Sequence, residues 1–173
     1  SSPLSEPENE YDRSKRALYE DVVRPYREKG LFIASGFLCN HESPRRGARF
    51  VTGKIARAVA MIKHGQEEVL TVGNVDARRD WSFAGDLVRA AWSTLQIEAG
   101  ADFVMGSGTL QSVRDFIAVA FRVAGMPLSW EGEGVDAKAY DTHGVLRVQV
   151  ESAFYQQDTK PVIGIPTLLK EKT

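Results

Sequence analysis

Two hydrophobic periods alternate along this chain, and that alternation limits the folds open to it more than any other feature. From Tyr11 to Glu28 the apolar positions Leu18, Val22 and Tyr26 recur at helical spacing and Lys29-Gly30 supplies a stop, so the segment reads as an amphipathic helix interrupted late by Pro25. Leu31 to Leu38, with Phe32 and Ile33, is almost wholly apolar, the pattern of a strand buried on both faces of a parallel sheet. Asn40 to Gly47 reads as a loop, with Pro44 and Gly47 as breakers. A helix is expected over Phe50 to Lys63, with Ile55, Val59 and Ile62 on one stripe, Thr52 as a candidate cap and His64-Gly65 as its end. Glu68 to Val72 reads as a strand, and Asp80 or Ser82 as the start of a helix through Phe83, Leu87, Ala90, Ala91 and Leu95. Asp102 to Met105 is a strand, and Gly106 to Thr109 a turn before a helix built on Val113, Phe116, Ile117, Ala120 and Phe121. Strands and helices in turn make an α/β pattern.

Charge narrows the function. Twenty-two Lys and Arg against 23 Asp and Glu leave a net charge of −1, so no global field draws the chain to nucleic acid or anionic lipid, and any anion must be held locally. The apolar runs fall short of a membrane span, and the polar start Ser1 to Glu6 lacks the regions of a signal peptide. The lone Cys39 follows the apolar Gly36-Phe37-Leu38 and is expected to be a buried, reduced thiol. These features point to the cytoplasm. Residues 1–10, rich in Ser, Pro and Glu, are expected to be flexible.

Several residues can carry chemistry. Tyr11 and Lys15 are four apart on a helix, so one face carries both; a nearby ammonium stabilises a phenolate, although the same spacing also suits a surface tyrosine beside a solvated lysine. The segment Asn40 to Gly47 follows a strand, and ligands bind beyond the carboxyl ends of strands in open α/β sheets. Its Arg45 and Arg46 offer forked donors for phosphate, or form a solvated basic turn. Arg78 can brace its turn through Asp76 or Asp80, whereas Arg79, beside Trp81, is the better ligand candidate, and Lys54 can reach the same crevice. His41, His64 and His143 have no metal-ligand spacing, so no metal site is expected.

Taken together, Tyr11-x-x-x-Lys15, Asn40-His41-Glu42-Ser43-Pro44-Arg45-Arg46-Gly47, Phe50-Val51-Thr52-x-Lys54-Ile55, Gly73-Asn74-x-Asp76-Ala77-x-Arg79-Asp80-Trp81, Gln111 to Phe116 and Trp130-Glu131-Gly132 resemble, in matching order, the C-terminal half of GDP-mannose 4,6-dehydratases. These are extended short-chain dehydrogenase/reductases. The resemblance implies part of a Rossmann-type NAD(P)-binding sheet, ending over 11–48, and a small α/β substrate-binding domain formed mainly by 49–173, with some segments returning to the sheet. It implies Tyr11 as catalytic base and Lys15 as its partner on the nicotinamide ribose, His41 and Arg46 as contacts to NADP, and Asn40, Val51, Lys54 and Arg79 as the lining of a GDP-sugar site. The implied reaction oxidises the sugar at C4, eliminates water across C5 and C6, and reduces C6.

Departures from the family accompany the match. No glycine fingerprint and no Thr-x-Glu pair precede Tyr11, which implies a missing N-terminal half or another chain, and the family resemblance implies a homo-oligomer. Where the family has Arg-Pro-x-Glu, this chain has Gln156-Gln157-Asp158-Thr159. Phe83 and Leu87 replace polar family residues and are expected to loosen local contacts. The alternative functions are a non-catalytic nucleotide-sugar binding or oligomerisation module, and an epimerase or reductase of the same superfamily.

Overall fold

The structure, a computed structural model, describes residues 7, 9–157 and 161–172. Most of the expected flexible start, together with Asp158 and Thr159, lies outside the described residues. The side chain of Asn9 accepts the Asp12 N–H at 2.9 Å, so helix begins inside the stretch expected to be flexible. Helical structure then runs through α1 (Glu10–Ala17), a π-helical turn (Leu18–Val23) and α2 (Arg24–Glu28). Pro25 has no N–H to give to the carbonyl of Asp21, and the ladder widens just before it, with the Arg24 N–H reaching Tyr19 O. The interruption is therefore a wide turn.

Next come β1 (Ser35–Leu38), β2 (Asn40–Glu42), α3 (Val51–Lys63), β3 (Leu70–Val72), β4 (Arg78–Phe83), α4 (Ala84–Thr94), β5 (Asp102–Met105), β6 (Leu110–Ser112), α5 (Val113–Val123), β7 (Ser129–Glu131), β8 (Lys138–Tyr140), β9 (Leu146–Val150) and α6 (Thr167–Lys172). They form a parallel pair β1-β5, a three-stranded sheet β2-β4-β6 and a four-stranded sheet β3-β9-β8-β7. In register, Phe37 lies beside Val104 and Asn40 beside Trp81.

Several expectations are corrected. β1 starts at Ser35 and is not buried on both faces: Ser35 and Phe37 are partly buried on one face, while Gly36 and Leu38 on the other are exposed, Leu38 at 51%. Asn40 to Glu42 is strand, its backbone paired in parallel with Trp81 to Phe83. Asp80 opens no helix; it is a buried residue of β4, and α4 begins at Ala84. Thr52 is no cap but a buried residue inside the first turn of α3. Leu87 tightens its surroundings, packing with Phe103 and Met105 in a small core cluster. Burial of a leucine favours folding by about 1.5–3 kcal/mol.

The larger core joins the α3 stripe Ile55, Val59 and Ile62 to Ile117 and Phe121 of α5 and to Val148 of β9. α5 opens on a capping box: Ser112 accepts from the Asp115 N–H at 3.0 Å while Asp115 accepts from the Ser112 N–H at 2.9 Å. Burial of α3 fixes one end of the loop that links it to β2, pairing of β2 with β4 fixes the other, and that loop carries several of the candidate residues.

Candidate functional site

The first helical segment lies antiparallel to β1. Arg27, near its end, donates to Ile33 O at 3.0 Å and to Asp102 Oδ1 at 2.8 Å, at the foot of the β1-β5 pair. Tyr19 stacks edge-on against Phe37, with ring centroids 5.4 Å apart, and hydrogen-bonds Asp102. Tyr11 lies eight residues nearer the start of the helical segment than Tyr19, about 12 Å along it at 1.5 Å per residue. Asn40 and His41 lie at the carboxyl end of β1, directly after it. Tyr11 is 68% exposed, and Lys15 Nζ stands 5.3 Å from the centre of its ring. The hydrogen bond to Asp102 pushes the Tyr19 phenol up, as does its burial, so Tyr19 stays protonated and acts as a tether.

β2 and its loop hold the next group. His41 is exposed, with Nδ1 3.2 Å from Cys39 O, which leaves Nε2 as the outward-facing nitrogen. Arg46 is more enclosed than the sequence suggested: its guanidinium lies 3.6 Å from the Phe50 ring centre, and Nε stands 3.2 Å from Glu42 Oε2. That contact is an ion pair at an angle unsuited to a hydrogen bond, since Nε is buried without a hydrogen-bond partner. Glu42 Oε2 also accepts the Thr52 hydroxyl at 2.6 Å. Glu42, Arg46, Thr52, Arg57, Trp81 and Phe116 line a cleft of about 760 Å³ beside the first turns of α3.

A second pocket, of about 310 Å³, opens on the other flank of that turn. Val51 and Arg79 line it together with Asn74, Phe154, Gln156 and Gln157. Lys54 Nζ sits 5.4 Å from the centre of the Phe154 ring, at the pocket's wall. Of the four residues expected to line a sugar site, Val51 and Arg79 thus meet in one pocket and Lys54 reaches its wall. Asn40 does not line it, but pairs with Trp81, two residues from Arg79 on β4.

Three features of this pocket were missed. Asn74 Nδ2 donates to Gln156 O at 3.2 Å while its Oδ1 accepts the Asp76 N–H at 2.9 Å, so one side chain ties a turn to the C-terminal segment. Gly73 permits that approach, because a Cβ there would lie 2.2 Å from Phe154 O. Asp76 itself pairs with Arg114 of α5 at 2.9 Å. The Asn and Gly of Gly73-Asn74 are turn residues, and that signal was available.

Asp80, next to Arg79, is the joint of the region. It is 1% exposed and accepts from Ser107 Oγ at 2.6 Å, Ser107 N at 2.8 Å, Gly108 N at 3.1 Å and Gly164 N at 2.9 Å. Burial pushes its carboxyl up, but these four hydrogen bonds outweigh burial and hold it below the usual carboxylate range. Cys39 is free and only partly buried, and burial followed by the charge of Asp80 pushes its thiol up. Among the described residues no group of His, Cys, Asp and Glu could hold a metal, and no helix is long and apolar enough to cross a membrane.

Comparison with known proteins adds a family. A family model described as GDP-mannose 4,6 dehydratase matches residues 2–173. GDP-mannose 4,6 dehydratase 2 of Caenorhabditis elegans is 43% identical over 162 residues, which cover 92% of this chain and 42% of that protein. GDP-mannose 4,6-dehydratase of Vibrio cholerae is 39% identical over 179 residues, with 96% of this chain and 48% of that protein covered. The chain spans less than half the length of these curated relatives. A structure of RMD from Pseudomonas aeruginosa complexed with NADPH superposes with a TM-score of 0.79 at 23% identity, covering 100% of this chain and 52% of that one. A dTDP-glucose 4,6-dehydratase from Bacillus anthracis in complex with NAD gives 0.73 at 14%, covering 99% and 47%. These likenesses identify the α/β fold as part of a Rossmann-type one.

Proposed function

We propose that this chain, which belongs to the GDP-mannose 4,6-dehydratase family, is the substrate-binding half of an enzyme that converts GDP-mannose to GDP-4-keto-6-deoxymannose with NADP. In this reading residues 11–48 close the cofactor-binding Rossmann lobe and 49–173 form mainly the sugar-binding lobe, with β5 returning to the sheet. The observation that carries it is the meeting of Val51 and Arg79 in one pocket, with Lys54 at its wall.

NADP would be held by Lys15, His41 and Arg46. The fit rests on His41, whose Nε2 faces outward, and on Arg46, a cation fixed at the mouth of a cleft beside α3. When bound, the nicotinamide accepts and returns the electrons of a reaction that is redox-neutral overall. The chain's own residues do the rest. Tyr11 takes the proton of the C4 hydroxyl, with Lys15 Nζ 5.3 Å from the centre of its ring. Arg79 and Lys54 grip the diphosphate, Asn40 and Val51 complete the lining, and binding energy from this remote part of the substrate sets the sugar in its reactive pose.

Activity requires the nucleotide-binding half of the relatives, supplied upstream or by another chain. Exposed Leu31, Phe32 and Leu38 along the β1 side suit such a contact, and an oligomer of whole enzymes is expected. The free Cys39 suits the cytoplasm. Incubation of the intact enzyme with GDP-mannose and NADP is expected to yield the 4-keto-6-deoxy sugar nucleotide. Failure to form a keto sugar from any common nucleotide sugar would remove the reading.

A further inference from the structure

Glu42 stands where the two halves of the candidate site touch. A single oxygen, Oε2, receives the Thr52 hydroxyl at 2.6 Å and faces Arg46 Nε at 3.2 Å. Thr52 belongs to the first turn of α3, the turn that also bears Val51 and Lys54. Arg46 is further clamped by the Phe50 ring at 3.6 Å, and Phe50 is the residue that opens α3, its carbonyl accepting the Lys54 N–H at 2.8 Å. The backbone closes the same joint: a Cβ on Gly53 would lie 2.5 Å from Gly47 O and 2.7 Å from Arg46 O, so α3 rests directly on the Arg46-Gly47 peptide. Thr52 is buried, and the side chain of Glu42 is only 17% exposed, so the charge of Glu42 is well shielded from competing water.

We infer that Glu42 is a positioning residue that makes Arg46 and the first turn of α3 a single body, so that binding at the cofactor side and at the sugar-diphosphate side are energetically coupled. The inference rests on the proposed function, which gives Arg46 to the cofactor and Val51 and Lys54 to the sugar nucleotide. A ligand phosphate that draws Arg46 outward must carry Glu42 and Thr52 with it or break their contacts. Ordering of that joint by one ligand then lowers what the second must order, which is positive coupling without contact between the residues that bind the two.

The test uses the intact enzyme, with the affinity for NADP measured with and without saturating GDP, which occupies the pocket without turnover. Wild type is expected to bind NADP about five-fold or more tightly when GDP is present. In Glu42→Gln, which removes the charge facing Arg46, and in Thr52→Val, which removes the hydroxyl at constant shape, the enhancement is expected to fall below about two-fold. Thr52→Ser, which keeps the hydroxyl, is expected to restore it; a general loss of fold would not follow that order. Equal enhancement in wild type, Glu42→Gln and Thr52→Val would overturn the role of Glu42 while leaving the functional reading intact. Failure of wild type to bind GDP or NADP would instead remove that reading and the coupling with it.

Discussion

The carboxylate of Asp80 receives the backbone N–H of Gly164, 84 residues further along the chain, at 2.9 Å. The same carboxylate holds Ser107 and Gly108, so the turn after β5, the pocket strand β4 and the C-terminal segment meet at one buried anion. Asp80→Ala leaves at least three backbone donors without their acceptor, and the expected loss of stability is on the order of 3 kcal/mol. The midpoint of urea unfolding is the check; an unchanged midpoint would show that the joint holds without Asp80.

The same group sets a pH dependence. The folded carboxyls of Asp80 and Asp115 lie below the ordinary carboxylate range, Asp80 through bonds that overcome its burial and Asp115 chiefly through the Ser112 hydroxyl. A depressed folded value means that the stabilisation is fully present above the unfolded value, about pH 4, and is lost as pH falls through the folded values. Urea midpoints between pH 6 and pH 3 should therefore decline on the acid side, and the decline should be shallower in Asp80→Asn. Equal slopes in the two proteins would contradict the assignment.

Gly73→Ala places a Cβ 2.2 Å from Phe154 O, backbone against side chain with no flexible end to yield. Phe154, Gln156 and Gln157 must shift, and all three line the smaller pocket. The expected result is weaker GDP binding with a stability loss of about 1–3 kcal/mol. Calorimetric titration with GDP reads the first and thermal unfolding the second; wild-type affinity would show that this wall does not touch the ligand.

Gln156 lines the smaller pocket together with Arg79. Gln156→Arg adds a third cation beside Arg79 and Lys54, and a charge-assisted hydrogen bond contributes about 1.5–3 kcal/mol, roughly ten- to hundred-fold in affinity. Tighter binding of GDP than of guanosine, with a steeper salt dependence than wild type, is the expected signature. An equal effect on both ligands would mean that the new side chain misses the diphosphate.

How much of this was legible depended on whether a residue's role left a periodic trace. The stripe Ile55, Val59 and Ile62 announced α3, and all three are buried; Asp102 to Met105 was read as strand and is β5. β4 was misread because its buried centre is Asp80, whose burial is stabilised by bonds from residues far along the chain that no local pattern reveals. Thr52 looked like a cap and instead turns inward to Glu42, since buried Ile55 sets the rotation of the helix. The strands β7, β8 and β9 went unread: the first two have three residues each, and Gly132, Gly134 and Gly144 punctuate the meander. The site followed the same division. The motif residues Val51 and Arg79 were found and do share a pocket, while Asn74, Phe154 and Gly73 join it through contacts across about 80 residues, a separation at which no sequence period operates.

Tyr11→Phe should lower turnover by about 10²- to 10⁴-fold, the range for a positioned acid or base, with GDP binding nearly unchanged because only the ionisable oxygen is lost. A mutant with the wild-type rate would refute the role of Tyr11. The most direct test of the account is a crystal structure of the intact Tyr11→Phe enzyme with GDP-mannose and NADP. The account predicts the mannose C4 oxygen within about 3–4 Å of the edge of the substituted ring, near the place the lost hydroxyl would fill for a reactive pose, and the diphosphate against Arg79 and Lys54. A diphosphate bound away from Arg79, with the sugar at the far end of the strands from that ring, would contradict it.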